Sequence, residues 1–131
     1  MDQITAAGCV CGAVRLVATG QPDRVGICHC LDCRKHHGAL FFAAAIFPRE
    51  AVEITGETLG HAGRHTCTTC GSSVFAISDG EVEIHLGALD EPGQFTPTYE
   101  LWTIRREPWL LTFPGMTQYA RGRDTSTSEK T

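Results

Sequence analysis

Apolar residues along this chain come in short runs, and where the runs alternate they do so with a period of two. Residues 81–86 show it most clearly. Val82, Ile84 and Leu86 fall on one side and Glu81, Glu83 and His85 on the other, as in a half-buried strand. The same reading predicts strands over residues 13–18 (AVRLVA), 25–27 (VGI), 39–47 (ALFFAAAIF), 52–54 (VEI), 73–77 (SVFAI) and 101–105 (LWTIR). Gly12, Gly20, Pro22, Pro48 and Gly56 punctuate them. Helical spacing is scarce: only residues 31–37, ended by Gly38, predict a turn or two of helix. Strands this short, with turns about every 8–12 residues, predict a mainly β fold of small sheets.

Composition narrows the class without changing that picture. One domain is expected at this length, over residues 1–120. The polar tail at 121–131 (RGRDTSTSEKT) lacks any large apolar residue, and disorder is expected there. An apolar fraction of 42% with 20% charged residues is ordinary for a soluble protein. No apolar run approaches the ~18 residues of a membrane span. A formal charge of −4 argues against a nucleic-acid surface, which needs a basic stripe to meet phosphates. The first residues carry neither a positive region nor an apolar stretch, so a reducing, cytoplasmic setting is expected.

Seven cysteines carry the chemistry. They fall as Cys9-x-Cys11, Cys28-x-Cys30-x-x-Cys33 and Cys67-x-x-Cys70. An odd number leaves at least one thiol unpaired, and neighbours this close cannot all form local disulfides without strain. In a reducing compartment, clustered thiols point to metal. A structural zinc takes four ligands in a closed tetrahedron, whereas a catalytic zinc keeps three protein ligands and an open position. Seven divides naturally into four plus three. Cys11-Gly12 and Cys70-Gly71-Ser72 have the form of zinc knuckles, so Cys9, Cys11, Cys67 and Cys70 are assigned to a closed, structural zinc. Cys28, Cys30 and Cys33 are the candidate open, catalytic zinc site. A closed alternative would recruit His29, His36, His37, His61 or His65 as a fourth ligand, though His29 would have to point away from an ion shared by its neighbours. Two zinc ions against seven thiolates leave the chain about −3 more negative than its formal charge. Arg34 and Lys35 follow the triplet, and either would offset that charge, receive a substrate carboxylate or lie in a solvated turn.

These residues resemble a known family. Gly8-Cys9-x-Cys11-Gly12-Ala13-Val14-Arg15, Cys28-His29-Cys30-x-x-Cys33-Arg34-Lys35-x-x-Gly38, Cys67-x-x-Cys70-Gly71-Ser72 and Gly87-Ala88-Leu89-Asp90-Glu91-Pro92, with Trp102 and Trp109 further on, are similar to the glutathione-dependent formaldehyde-activating enzymes (GFA), also called centromere-protein-V-like. The resemblance covers roughly residues 8–120. It implies a β-tent fold of small antiparallel sheets with zinc knuckles. It also implies the same division of ligands: one zinc on Cys9, Cys11, Cys67 and Cys70, and a catalytic one on Cys28, Cys30 and Cys33. The implied activity is that of a carbon–sulfur lyase joining glutathione and formaldehyde as S-(hydroxymethyl)glutathione. A small thiol and a small aldehyde are then the expected partners. Two alternatives use the same cysteines without turnover: a zinc-stabilised binding or scaffold module, and a thiol or metal sensor.

Overall fold

The computed structural model describes residues 2–124. Among them the chain forms β1 (Ile4–Gly8), β2 (Arg15–Thr19), β3 (Arg24–Cys28), α1 (Leu31–His37), β4 (Phe42–Pro48), β5 (Val52–Thr55), β6 (Thr58–His61), β7 (Arg64–Cys67), β8 (Ser73–Ser78), β9 (Glu81–His85), β10 (Tyr99–Leu101) and β11 (Thr117–Gln118). The protein is mainly β, as the alternation predicts. No helix among the described residues is long and apolar enough to cross a membrane. The chain divides into two compact units. One comprises the described residues up to Arg24 with Ala45–Phe95, the other Val25–Ala44 with the described residues from Thr96 on.

In the first unit β1, β2 and β5 form an antiparallel sheet with β2 in the middle, registered Ala7 to Leu16 and Ala18 to Val52. Alternation sets its inner face: Thr5, Ala7, Leu16 and Ala18 are fully buried, as a two-residue period requires. β6 to β9 form an antiparallel meander, closed by tight turns between neighbours in sequence. Phe75, Val74, Val82 and Ile84 fill its core. Two bidentate ion pairs, Arg24 with Glu81 and Arg15 with Asp90, brace this unit at its surface. His85 corrects the reading of β9. Alternation assigns it to the polar, outward side, yet it is buried, with Nδ1 3.3 Å from the Ser73 hydroxyl. A hydrogen bond substitutes for water on that face.

In the second unit β10 lies between β3 and β11 and runs parallel to both, matching Tyr99 to Gly26, Glu100 to Ile27 and Leu101 to Cys28. The expected antiparallel pairing gives way here. β10 returns to β3 after a long excursion of chain, and no hairpin dictates its direction. The strand predicted over residues 101–105 also ends early. Trp102 is left-handed (φ 56°), and Thr103–Arg105 winds into a 3-10 turn. The N–H groups of Trp102 and Thr103 then donate to the carbonyls of Arg121 and Tyr119. Arg121 to Asp124 form a bend and turn, and residues 125–131 of the expected disordered tail lie outside the described residues. Over 39–47 the strand begins only at Phe42, because Phe41 packs against the His29 ring instead, centroids 5.5 Å apart.

Gly26 sits under the Tyr99 ring, where a Cβ would overlap the aromatic carbons. Gly26→Ala is expected to lower stability by about 1–3 kcal/mol, the usual cost of overpacking. A thermal melt identical to that of the parent would show that the ring moves aside freely.

Candidate metal centres

The first thiol group is built in the first unit from two tight turns. Cys9 and Cys11 stand in the turn between β1 and β2; Cys67 ends β7 and Cys70 lies in the turn before β8. Gly12 and Gly71 both take positive φ, 83° and 78°, so each turn doubles back where a side chain would be strained. Folding back aims backbone amides at sulfur. Val14 N–H donates to Cys9 Sγ at 3.2 Å, and Thr69 N–H donates to Cys67 Sγ at 3.3 Å. Ser72 ties the turns together, its hydroxyl oxygen accepting the Val10 N–H and lying 3.1 Å from Cys70 Sγ.

The four sulfurs all lie within 4.8 Å of one another, with Cys9 to Cys11 at 3.6 Å and Cys11 to Cys67 at 3.7 Å. A tetrahedral thiolate zinc, with bonds of about 2.3 Å, places its sulfurs about 3.8 Å apart. The set fits. Their acidities diverge as crowding requires. The Ser72 hydroxyl, with the Ser72 and Cys11 backbone N–H groups, pulls Cys70 down to about 5. The Val14 N–H lowers Cys9. On Cys11 the largest influence, the Ala13 N–H, also lowers, but desolvation and its three sulfur neighbours outweigh it and push the thiol up to about 11. Four thiols this close cannot all ionise without a cation among them.

The second group belongs to the second unit. Cys28 ends β3, Cys30 caps α1 and Cys33 is buried in its first turn. The Cys33 N–H donates to Cys30 Sγ at 3.2 Å, so one ligand also starts the helix that carries another. Gly38 ends α1 where the sequence places its stop. The sulfurs stand 2.9 Å (Cys30 to Cys33) and 3.7 Å (Cys33 to Cys28) apart, all three within 4.8 Å. Cys28 is strongly raised, first by its sulfur neighbours Cys30 and Cys33 and then by burial. Ionising it calls for a cation. Among the described residues no histidine, aspartate or glutamate joins the group.

Four of the five candidate fourth ligands have partners elsewhere, and the fifth, His61, is exposed on β6 and is not grouped with the thiols. His37 stacks on Phe42 at 4.6 Å and meets His36 edge-on; His65 stacks on Phe75 at 4.7 Å and bonds Thr58. His29 points into the core, as its place between two ligands demands. It is fully buried, and its Nε2 lies 2.9 Å from Glu100 Oε1. Burial lowers its pKa against the pull of that carboxylate, so the ring is neutral and Nε2–H donates. Arg34 pairs with Glu107 and donates to the Arg105 carbonyl at 2.9 Å. Glu100 and Arg106, which the sequence reading passes over, stand behind the triplet. The only local signal was an acid next to the apolar start of the 101–105 run.

A mainly β chain with one four-thiol and one three-thiol group is a protein built around two sites that could each hold a metal ion. Over residues 4–105 it matches the glutathione-dependent formaldehyde-activating enzyme family, and it belongs to that family. No curated protein matches the chain.

Proposed function

We propose that the protein is a zinc-dependent carbon–sulfur lyase of the GFA type, making or breaking a thiol–aldehyde adduct at Cys28, Cys30 and Cys33. The observation that carries this is the three-thiol group without a fourth ligand among the described residues, in a chain of an enzyme family. Cys9, Cys11, Cys67 and Cys70 would hold a second, structural zinc. At the triplet a bound zinc supplies a Lewis acid with one exchangeable position, which acidifies a thiol and polarises a carbonyl. The chain does the rest. Cys28, Cys30 and Cys33 would supply three ligands and leave a fourth position to the substrates, so that thiol and aldehyde would meet in a fixed geometry rather than by free collision. His29, neutral and turned inward, stays out of the coordination set. The expected partners are a small thiol such as glutathione and a small aldehyde such as formaldehyde, the pair named by the family. A cytoplasmic setting supplies both the reducing conditions and the thiol.

The zinc-loaded chain is expected to bind two ions. With glutathione and formaldehyde, it should speed interconversion of free and hydroxymethylated thiol in exchange NMR. Two bound zincs with an exchange rate equal to that in buffer would sink the enzyme reading and leave the scaffold module. Cobalt at the triplet should change its ligand field when glutathione is added, a response that a closed site cannot give.

A further inference from the structure

A buried polar chain lies behind the three-thiol group: His29, Glu100 and Arg106. His29 and Glu100 are wholly inaccessible, and the Arg106 side chain is 11% exposed. Glu100 Oε1 accepts from both His29 Nε2 and Arg106 Nη2, each at 2.9 Å. The arrangement is costly. Three of its polar atoms, His29 Nδ1, Glu100 Oε2 and Arg106 Nε, have no hydrogen-bond partner. Buried charge of this kind contributes less stability than apolar residues of the same volume, so stability alone gives no reason for it.

Position supplies the reason. Cys28 and Cys30 flank His29 in extended backbone, which sends their side chains to one face and the imidazole to the other. His29 is anchored twice on β10. Its backbone N–H donates to the Leu101 carbonyl at 3.0 Å, and its ring donates to Glu100 next door. The register of Cys28 with Leu101 completes the clamp. The residue between the two ligands is therefore held in backbone and side chain, while its neighbours carry the sulfurs.

We infer that His29, locked by Glu100 and Arg106, is a positioning residue that fixes the Cys28 and Cys30 sulfurs as two corners of the three-thiol site. The inference rests on the triplet's holding an ion, as proposed above. The lock acts through the backbone of residues 28–30. Losing it lets the two sulfurs drift and weakens the ion's hold on this site alone.

The test uses the full zinc- or cobalt-loaded chain and reads metal rather than turnover. His29→Phe keeps a ring against Phe41 and removes the donor to Glu100; His29→Gln restores an N–H near the Nε2 position. Competition with a chromogenic chelator should show the triplet of His29→Phe binding zinc about 10- to 100-fold more weakly, the usual effect of losing an outer hydrogen bond. The four-thiol site should be unchanged. The thiolate-to-cobalt charge-transfer bands of the triplet should fall with it, and His29→Gln should recover most of both. A folded His29→Phe with parental affinity and bands overturns the inference, as does a His29→Gln no better than His29→Phe. Should His29→Phe not fold, Glu100→Gln decides. That variant replaces the charged acceptor of His29 with a weaker neutral amide and loses the charge that holds Arg106, so the lock is weakened at both ends and unaltered cobalt bands overturn the proposal. A parent that binds one ion sinks this inference and the proposed function together. Two ions, a weakened His29→Phe and no thiol exchange sink only the enzyme reading.

Discussion

Cys70→Ser is expected to abolish the cooperative unfolding transition of the four-cysteine unit and to halve the zinc content, from two ions per chain to one. The magnitudes decide this. A structural thiolate zinc contributes roughly 10–16 kcal/mol at neutral pH, whereas a whole domain is stable by about 5–15 kcal/mol. Losing a ligand removes a large share of the first quantity from a margin no larger than itself. Cys70 is exposed, so no loss of packing confounds the result. Its sulfur joins a turn that Ser72 and Gly71 have already shaped, and a serine there leaves that turn without its fourth thiolate. Circular dichroism on heating, with metal analysis of the same sample, reads both effects. A parental melt with two zincs bound would show that the four-thiol group does not hold the fold.

Cys30→Ser should behave in the opposite way: a retained fold, one zinc rather than two, and thiol exchange reduced to the rate in buffer. The helix survives because serine is among the best residues at the start of a helix, and its hydroxyl can accept the Cys33 N–H that Cys30 Sγ accepts now. Metal binding at the triplet should not survive as well, since a neutral hydroxyl would replace one of three thiolates. If Cys30→Ser and Cys70→Ser both unfolded, the triplet would be structural and the enzyme reading would weaken sharply. Intact folding with undiminished exchange would place the chemistry elsewhere in the chain.

Much of this was legible because it is local. Helix α1 follows from a polar stretch stopped by Gly38, β5 and β9 follow from alternation within single segments, and β8 from a short apolar run. The thiols gather into the four-and-three grouping that their spacings, and the glycines after Cys11 and Cys70, indicate within a few residues. The hairpin of β6 and β7 leaves no mark in the hydropathy pattern. Thr58-Leu59-Gly60-His61 and Arg64-His65-Thr66-Cys67 carry almost no apolar alternation, and Leu59 is 67% exposed. Backbone pairing, rather than burial, holds those strands, and hydropathy does not record it. Parallel β10 was beyond reach for a different reason: nothing near Tyr99 says that it will lie beside Gly26. Glu100 was invisible with it, since its meaning comes from a histidine 71 residues earlier.

That separation governs the order in which the protein can be made. The unit holding Cys28, Cys30 and Cys33 is formed from two stretches of chain, and the whole of Ala45–Phe95 is synthesised between them. Contacts of such long range are slow to close, because loop entropy is lost before they contribute. A nascent chain would therefore present the CHC segment to solvent for seconds, at about 5–20 residues per second, before β10 arrives. During that interval the three thiols are open to oxidation and to any passing thiophilic ion. The four-cysteine turns need nothing beyond residue 95 of their own unit, so the four-thiol group can be assembled while the three-thiol group still waits for β10.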